Sequence, residues 1–350
     1  MALLRALPST SRFARTVRIG FWAGLGAFLG ISLIMGVILG TVSIPLSELV
    51  RILLGEARDP ALMAIVWEVR LPRVLLMALA GAALAGAGAV YQGLFRNPLA
   101  DPYLIGVAAG ANLGALTAIV LNLSTTLPGL FTLPIAAFLG GSVTVGLVYR
   151  LARIGGAVPL TMLLLAGIVV GTILNAISLG LLMIMVWKVA PHRAWIWMLG
   201  GYALGGWPAF FGALPYVTIG LSLLLLLGRP LDVLQFGEEQ ALQLGLPVER
   251  VKRLAIGAAT LTTAGAVAFT GIIGFVGLII PHLARLLIGP RYPRVIPASI
   301  LLGASMLTLA DLLSRILLPP QEIPLTILTA FLGGPFFLYL LMHTRRGAFL

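Results

Sequence analysis

Residues 229–253 read RPLDVLQFGEEQALQLGLPVERVKR, and this polar stretch interrupts a chain that is otherwise strongly apolar. Apolar runs long enough to cross a bilayer lie on both sides of it. Glu238 begins a short helix-forming run that Gly245 suits as a terminator, and Pro247 suits the first position of a second short helix. Two short helices at a sharp corner between spans predict a docking platform, although an ordinary solvated loop would have the same composition.

The composition of the 350 residues indicates a membrane protein. Sixty per cent of them are hydrophobic, only 10% are charged and the mean hydropathy is +1.08, which excludes an ordinary soluble domain. The chain has no cysteine, so disulfides and thiolate metal sites are excluded. A net charge of +12 is also found in nucleic-acid-binding proteins, but here most basic residues flank apolar runs, which is the pattern that sets membrane topology.

The apolar runs predict an all-α polytopic membrane protein with ten transmembrane helices. The predicted spans are 19–40, 73–95, 103–122, 132–149, 160–187, 211–228, 254–271, 273–289, 295–313 and 324–342. Residues 1–18 form a basic cytoplasmic N-terminus, 19–343 the transmembrane domain and 344–350 a cytoplasmic tail. The mixed residues 41–72 predict one short amphipathic helix on the outer surface. No clear cleavage site follows the first run, so we interpret it as a retained span rather than a signal peptide.

The distribution of basic residues supports this topology. With a cytoplasmic start and ten spans, sixteen of the 23 Lys and Arg residues face the cytoplasm and seven face outward. Basic residues concentrate on the cytoplasmic side of membrane proteins. Both termini and the stretch 229–253 are therefore predicted to be cytoplasmic.

Small residues recur at spacings that predict close helix packing. Gly106, Gly110 and Gly114 recur every fourth residue, and the same spacing joins Gly20 to Gly24 and Gly26 to Gly30. The tetrapeptide AGAV at 87–90 recurs at 264–267, in spans predicted to run in opposite directions. This would suit an inverted transporter repeat, although four small residues also recur by chance.

The sequence contains no machinery that would drive transport by itself. There is no GxxxxGKS or GxxxxGKT phosphate loop and no HExxH motif, and His192, His282 and His343 lack metal-ligand spacing. We therefore predict no catalytic residues, no metal and no cofactor. An ion-driven carrier needs an ionisable group deep in the membrane. Asp311 and His282 are the candidates, and His282 also suits helix packing, so an ATPase on another subunit is the simpler interpretation.

Two local conformations follow from single residues. Pro98 donates no backbone hydrogen bond and disfavours helical geometry at Asn97, so the chain is predicted to turn after the second span. Gly245 is predicted to be left-handed at the end of the first short helix.

Several motifs together resemble the iron-chelate and cobalamin permease family of the FecCD type. They are RLPR at 70–73, FRNPLADP at 95–102 with LIG at 104–106, GE at 237–238 with LGLP at 244–247, GIIGFVGLIIPH at 271–282, AD at 310–311 and EIP at 322–324. The resemblance implies the membrane-spanning, non-catalytic permease subunit of a type II ATP-binding-cassette importer, in a bacterial or archaeal cytoplasmic membrane.

The resemblance also implies the rest of the transporter. A second copy of the chain would complete a homodimer whose central pathway is lined by the fifth span, the short helix after it and the tenth span. Two separate ATPase subunits would bind the cytoplasmic face and hydrolyse ATP, and an extracytoplasmic substrate-binding protein would dock outside. Membrane lipid surrounds the dimer, and no nucleic acid is expected. The cargo would be a ferric siderophore, haem or cobalamin. The alternatives are an ion-gradient-driven secondary carrier and a channel or scaffold.

Three sets of site residues follow from the resemblance. Binding-protein docking is assigned to Arg70, Arg73 and Arg315, for which snorkelling at the interface is the alternative. The cytoplasmic gate is assigned to Asn97, Leu99, Leu160 and Thr161, and Leu160 stands where the cobalamin importer has a hydroxyl residue. ATPase coupling is assigned to the stretch 229–253, at Glu238, Glu239, Leu244, Gly245, Leu246 and Pro247.

Sulfur and aromatic side chains cluster near the outer end of the fifth span. They are Met183, Met185, Trp187, Trp195, Trp197 and Met198. Soft and aromatic groups suit a vestibule for a large, partly apolar chelate. An aromatic belt at the membrane interface predicts the same residues, so both interpretations stay open.

Overall fold

The computed structural model describes residues 12–56, 59–121, 123, 132–186, 197–200 and 206–347. Within these ranges the chain is helical, and its one β feature is an isolated bridge between Ile154 and Ala157. In chain order the helices are α1 (Arg12–Ile38), α2 (Leu46–Leu53), α3 (Pro60–Leu94), α4 (Val107–Val120), α5 (Thr132–Ala152), α6 (Leu160–Val186), α7 (Gly206–Leu226), α8 (Gly228–Leu234), α9 (Glu238–Gln243), α10 (Val248–Thr270), α11 (Val276–Ile288), α12 (Tyr292–Ile316) and α13 (Leu325–Gly347).

Each of the ten predicted spans coincides with one helix, namely α1, α3 to α7 and α10 to α13. Seven of these are long and apolar enough to cross a bilayer, while α4, α11 and the apolar part of α13 (Leu325–Phe336) are shorter. The all-α polytopic fold is confirmed, whereas the number of crossings stays a prediction. Residues 1–11 and 348–350, within the predicted cytoplasmic ends, lie outside the described residues.

Helix α3 begins at Pro60, thirteen residues before the start predicted for the second span at residue 73. Asp59 caps it, because its Oδ1 accepts the backbone N–H of Ala61 at 2.9 Å, and Pro60 occupies the first helical position. The residues from Ile65 to Arg70 form a π-helical turn inside this helix. The charged residues before the predicted start therefore continue the helix and do not end it.

The prediction of one short amphipathic helix across residues 41–72 is therefore wrong. The segment divides into α2 and the first part of α3. Of these, α2 alone is a separate short helix, and it buries Leu49 and Ile52 against the end of α1 and the start of α3. Its apolar stripe explains why it folds back onto the protein.

Helix α3 forms the centre of the molecule, and nearly all of its residues from Val74 to Leu94 are buried. Two glycines allow its backbone to touch other helices directly. A Cβ atom at Gly81 would overlap the carbonyl oxygen of Gly303 in α12, and one at Gly88 would overlap that of Gly277 in α11. Small residues therefore set these helix contacts.

The other glycine spacings divide into two groups. A Cβ at Gly110 or Gly114 of α4 would overlap the backbone of α5, so this part of the predicted stripe is a packing surface. In α1, a Cβ added to Gly20, Gly24, Gly26 or Gly30 would meet no atom within 4 Å among the described residues. The same spacing therefore packs one helix and leaves the other facing outward.

The connection from α3 to α4 folds into the protein. The third span was predicted from residue 103, but the helix begins at Val107, after Gly106 turns the chain with φ +84°. Tyr103 donates its hydroxyl to the carbonyl of Ile273 at 2.9 Å, in the extended link between α10 and α11. The two AGAV segments have similar surroundings. The first lies in α3, which is followed by the short helix α4, and the second lies in α10, which is followed by the short helix α11; both segments are buried.

The polar stretch 229–253 has two short helices and the start of a long one. Gly245 has φ +82°, so its predicted left-handed conformation is confirmed. The predicted second short helix is wrong, because Pro247 precedes α10, which continues unbroken for 23 residues to Thr270. The extra short helix is α8, which packs before α9 and buries Leu231 and Leu234.

Candidate functional site

The N-terminal part of α3 and the C-terminal end of α12 meet in a buried ionic cluster. It is here called the outer cluster, after the side on which the predicted topology places it, and it consists of Arg70, Arg73, Asp311, Arg315 and Glu322. Arg73 donates from Nε to Asp311 Oδ1 at 2.9 Å. Its two terminal nitrogens bind both carboxylate oxygens of Glu322, at 2.9 and 2.8 Å. This paired geometry is the strong form of an arginine–carboxylate contact.

The other two arginines of the outer cluster hold the end of α1. Arg70 donates to the carbonyls of Val37 at 2.7 Å and Ile38 at 3.0 Å, and also to that of Val42. Arg315 donates to the carbonyl of Gly36 at 3.0 Å. The last carbonyls of a helix have no intrahelical partner, so these guanidinium groups complete the C-terminal end of α1.

Asp311 lies at the centre of the outer cluster. Its carboxylate also forms an ion pair with Arg315, with Nε 3.1 Å from Oδ2, although the Nε–H points instead to the Asp311 carbonyl at 3.3 Å. The deepest acid noted in the sequence is therefore neutralised by two arginines.

The three arginines assigned to docking are brought together, but they are buried. Arg70, Arg73 and Arg315 are 5, 8 and 7% exposed, whereas the side chain of Glu322 is 49% exposed. The snorkelling interpretation of Arg73 is wrong, because its guanidinium pairs with carboxylates inside the protein. In this conformation the arginines serve the fold, and their docking role stays a prediction.

The residues assigned to the gate lie just after the C-terminal end of α3 and at the N-terminal end of α6. Asn97 Oδ1 accepts the backbone N–H of Leu99 at 2.9 Å, and Arg96 has φ +49°, so the predicted turn is confirmed. Leu99 is 42% exposed. Leu160, half-buried, and Thr161, exposed, begin α6. The described contacts do not join the two pairs within one chain.

The short helix α9 and its flanks present an apolar surface to solvent. Phe236, Leu242 and Leu244 are 71, 58 and 69% exposed, and Glu239 is exposed beside them. Leu246 is half-buried and packs against the core, while Pro247 precedes α10. Exposed apolar side chains on a polar connection are typical of a surface that binds another protein.

A second ionic group, here called the inner cluster, lies behind α9. It consists of Glu238, Glu249 and Lys252. Lys252 is 2% exposed, and its Nζ donates to Glu238 at 2.6 Å, to Glu249 at 3.0 Å and to the carbonyl of Val158 at 3.1 Å. The inner cluster therefore joins α9, α10 and the connection that leads into α6.

One face of α6 is exposed along most of its length. It carries Leu165, Ile168, Thr172, Asn175, Leu179 and Met183. On α13, Phe331 and Leu338 are 76 and 67% exposed. Thr172 donates its hydroxyl to the carbonyl of Ile168 at 2.8 Å. The amide of Asn175 would be unfavourable toward lipid chains, so this face is better suited to a protein partner or to an aqueous path.

The predicted outer vestibule is only partly within the described residues. Trp187, Trp195 and the side chain of Met185 lie outside them. Met183 is 69% exposed, while Trp197 is 2% exposed and packs in the core with Met198 beside it. Trp197 is therefore a core residue rather than part of an open surface.

His282 contacts Phe336 edge to face, with ring centroids 5.9 Å apart, which agrees with a packing histidine. His192 lies outside the described residues, as does the side chain of His343. Among the residues that the structure describes, no group of His, Asp and Glu has the arrangement of a metal site.

A bundle of helices that are long and apolar enough to cross a membrane defines a multi-pass membrane protein. The model of the FecCD transport family matches residues 28–343, so the chain belongs to this family. It is a permease of the type found in ATP-binding-cassette importers.

Named relatives cover most of the chain. An ABC transporter permease protein of Bacillus subtilis is 37% identical over 99% of this chain and 98% of its own. A cobalamin import system permease protein of Halobacterium salinarum is 43% identical over 79% of this chain and 73% of its own. A hemin transport system permease protein of Yersinia pestis is 37% identical over 91% and 96%.

A solved structure has the same fold. It is an inward-facing conformation of a transporter described as a metal-chelate type ABC transporter, with a TM-score of 0.83 and 31% identity, over 93% of this chain and 99% of that one.

Three residues of these sites escaped the sequence analysis. Glu322 was noted in a motif without a role, although it binds Arg73. Lys252 was counted as a topological charge, and Gln235 was passed over, although its amide donates to the carbonyl of Gly93 at 3.0 Å. The spacing of Glu249 and Lys252, three residues apart on one helix, was the available signal for the inner cluster.

Proposed function

We propose that the chain is the membrane-spanning subunit of an ATP-driven importer that moves a metal chelate into the cytoplasm. The observation that carries this proposal is the exposed surface of α9 with Phe236, Leu242 and Leu244, which suits a cytoplasmic ATPase. Family membership supports the same assembly, with ATP hydrolysis on two separate subunits and substrate delivery by an extracytoplasmic binding protein.

The translocation path is proposed to lie between two copies of this chain. The exposed faces of α6 and α13 support this arrangement, because they place Asn175 where a partner copy or water would contact it. Both termini and α9 are then cytoplasmic, in agreement with the distribution of basic residues. Membrane lipid would cover the remaining apolar surface.

Docking of the binding protein is proposed at the outer cluster. Because Asp311 is buried and Glu322 is half exposed, a carboxylate of the binding protein would replace Glu322 on Arg73. Reversing the charge of Arg70 or Arg315 would disturb the end of α1 as well, so such variants would test the fold together with docking.

The cytoplasmic gate is proposed at Asn97, Leu99, Leu160 and Thr161. Leu99 is 42% exposed, so it is available to meet its copy across the dimer axis. In proteoliposomes loaded with a dye and lacking ATP, Leu99→Ala should leak while unfolding at nearly the unaltered temperature. A tight but destabilised variant, losing about 2–5 kcal/mol, would show instead that Leu99 is a packing residue.

The cargo is proposed to be haem, cobalamin or a ferric siderophore, because relatives are named for cobalamin and hemin transport. A secondary carrier has weaker support, since Asp311 is held by Arg73 and Arg315 and is not available as a proton or sodium site.

The test is uptake by proteoliposomes that contain the chain with its ATPase and enclose ATP. Labelled haem, cobalamin and a ferric hydroxamate are offered with the binding protein outside. Uptake of one chelate that requires enclosed ATP supports the proposal. Uptake driven by a proton or sodium gradient without ATP would overturn it in favour of a secondary carrier.

A further inference from the structure

Lys252 is a buried cation whose bonding capacity is fully used. It is 2% exposed, and its three acceptors are Glu238 Oε2, Glu249 Oε1 and the carbonyl oxygen of Val158. An ammonium group has three N–H donors, so each acceptor takes one of them. The lysine thus connects three separate groups through hydrogen bonds.

The three acceptors belong to different elements. Glu238 is the first residue of α9, Glu249 lies on α10 beside Lys252, and Val158 stands two residues before α6. Glu249 also accepts the backbone N–H of Val158 at 3.3 Å, so both backbone polar groups of this fully buried residue are held. A movement of α9 is therefore passed to the residue that leads into Leu160 and Thr161.

A structural role alone does not account for a lysine here. Burying an ion costs several kcal/mol unless it is well paired, and replacing a whole buried ion pair by apolar side chains of similar volume is often neutral or stabilising. A methionine would fill the same space, but it would connect neither α9 nor Val158. The cation is thus needed for the connection rather than for the volume.

A second and separate link leads from the same platform to the other half of the gate. Gln235, three residues before α9, donates its amide to the carbonyl of Gly93 near the end of α3. Arg96 lies next to Gly237 on the same side. Asn97 and Leu99 follow directly, so this link serves the α3 half of the gate while Lys252 serves the α6 half.

We infer that Lys252 is a positioning residue that transmits movement of α9 to the α6 half of the cytoplasmic gate. This inference rests on the proposed function, because the movement is supplied by the ATPase. Gln235 transmits the same movement separately to the α3 half. Loss of either link disconnects one half of the gate and leaves the other responsive.

The experiment uses the absence of cysteine from the chain. A single reporter, Thr161→Cys or Leu99→Cys, is placed in the full chain assembled with its ATPase in inside-out vesicles. Labelling by a membrane-impermeant maleimide is timed without nucleotide and after trapping with ATP and vanadate. In the otherwise unaltered chain, trapping should change the labelling rate at both positions about tenfold or more. A tenfold change corresponds to a free-energy difference on the order of 1.4 kcal/mol.

Lys252→Met should reduce the change at position 161 to less than about twofold and retain the change at position 99. Gln235→Leu should do the reverse. Lys252→Arg should restore most of the response at position 161. Glu249→Gln is the matched control, because it removes a carboxylate of the same exposure from the same lysine, 36 against 35%. The amide oxygen of the glutamine can still accept the N–H of Val158, and the path from Glu238 through Lys252 to the Val158 carbonyl stays intact.

An unchanged response at position 161 in Lys252→Met would overturn the inference, and so would an equal loss at both reporters, which indicates general damage. Equal losses in Glu249→Gln and Lys252→Met would also overturn it. If the unaltered chain fails to assemble with the ATPase, or neither reporter responds to trapping, the proposed function itself is wrong and the inference falls with it.

Discussion

The outer and inner clusters place their charges in opposite ways. In the outer cluster an acid, Asp311, lies at the centre with 1% exposure, and arginines surround it. In the inner cluster the cation Lys252 lies at the centre, and its two carboxylates are about one-third exposed. Water can reach the inner carboxylates if the lysine leaves, but it cannot reach Asp311. The outer cluster therefore fastens helices permanently, whereas the inner cluster can be broken and re-formed.

The largest effect is expected for Asp311→Asn. It leaves Arg73 and Arg315 buried with Glu322 as the remaining acid, and breaking a buried ion pair costs about 3–5 kcal/mol. The unfolding temperature in detergent should fall steeply, with the end of α1 loosened. Glu48→Gln is the control, since the exposed pair of Glu48 with Arg51 at 3.6 Å is worth about 0–1 kcal/mol. Equal stability of the two variants would show that the outer cluster contributes no more to the fold than a surface ion pair.

A smaller loss is expected for Lys252→Met, about 1–3 kcal/mol. The methionine keeps the apolar packing of the side chain, and the carboxylates of Glu238 and Glu249 regain water. The same denaturation measurement applies. A loss as great as that of Asp311→Asn would show that the inner cluster fastens the fold just as the outer one does.

Gly245→Val tests the connection between α9 and α10, next to the inner cluster. Its positive φ costs a residue with a side chain about 1–2 kcal/mol, while no atom within 4 Å obstructs the added Cβ. The variant should fold but assemble poorly with the ATPase, measured by co-purification. Gly55→Val is the matched control, because Gly55 has φ +76° and open space around its Cα, and it lies outside the stretch 229–253. Normal assembly of Gly245→Val, or equal losses in both, would count against the coupling role.

The smallest stability effect is expected for Glu322→Gln, about 0–1 kcal/mol, since Glu322 is half exposed and Arg73 keeps Asp311. Its informative effect is on docking. If a binding-protein carboxylate replaces Glu322, the variant should dock more tightly at low salt, because the competing charge is gone. Weaker docking would show that Glu322 contributes to the interface instead of competing with it.

The sequence predicted the helices well, because apolar runs of membrane length identify them without knowledge of their neighbours. It also predicted the turn at Asn97 and the left-handed Gly245, which depend on local backbone chemistry. It failed where the cause lies far along the chain. Arg73 binds Asp311, which is 238 positions away in the sequence, and Lys252 binds the carbonyl of Val158, which is 94 positions away. No local pattern therefore reveals that these charges are buried. The early start of α3 was missed for a different reason, because its signal is local: Asp59 and Pro60 form a helix start within a charged segment that was not read as part of a span.

The glycine contacts of α3 limit which parts of the permease have freedom to move. Sliding α3 along its axis by one residue would bring side chains against the carbonyls of Gly303 and Gly277, where a single Cβ already has no room. Helices α3, α11 and α12 are therefore expected to keep their positions along the helix axis relative to one another. Sliding movements during a transport cycle are then left to helices with exposed faces, such as α6 and α13, and to the connection that follows α3.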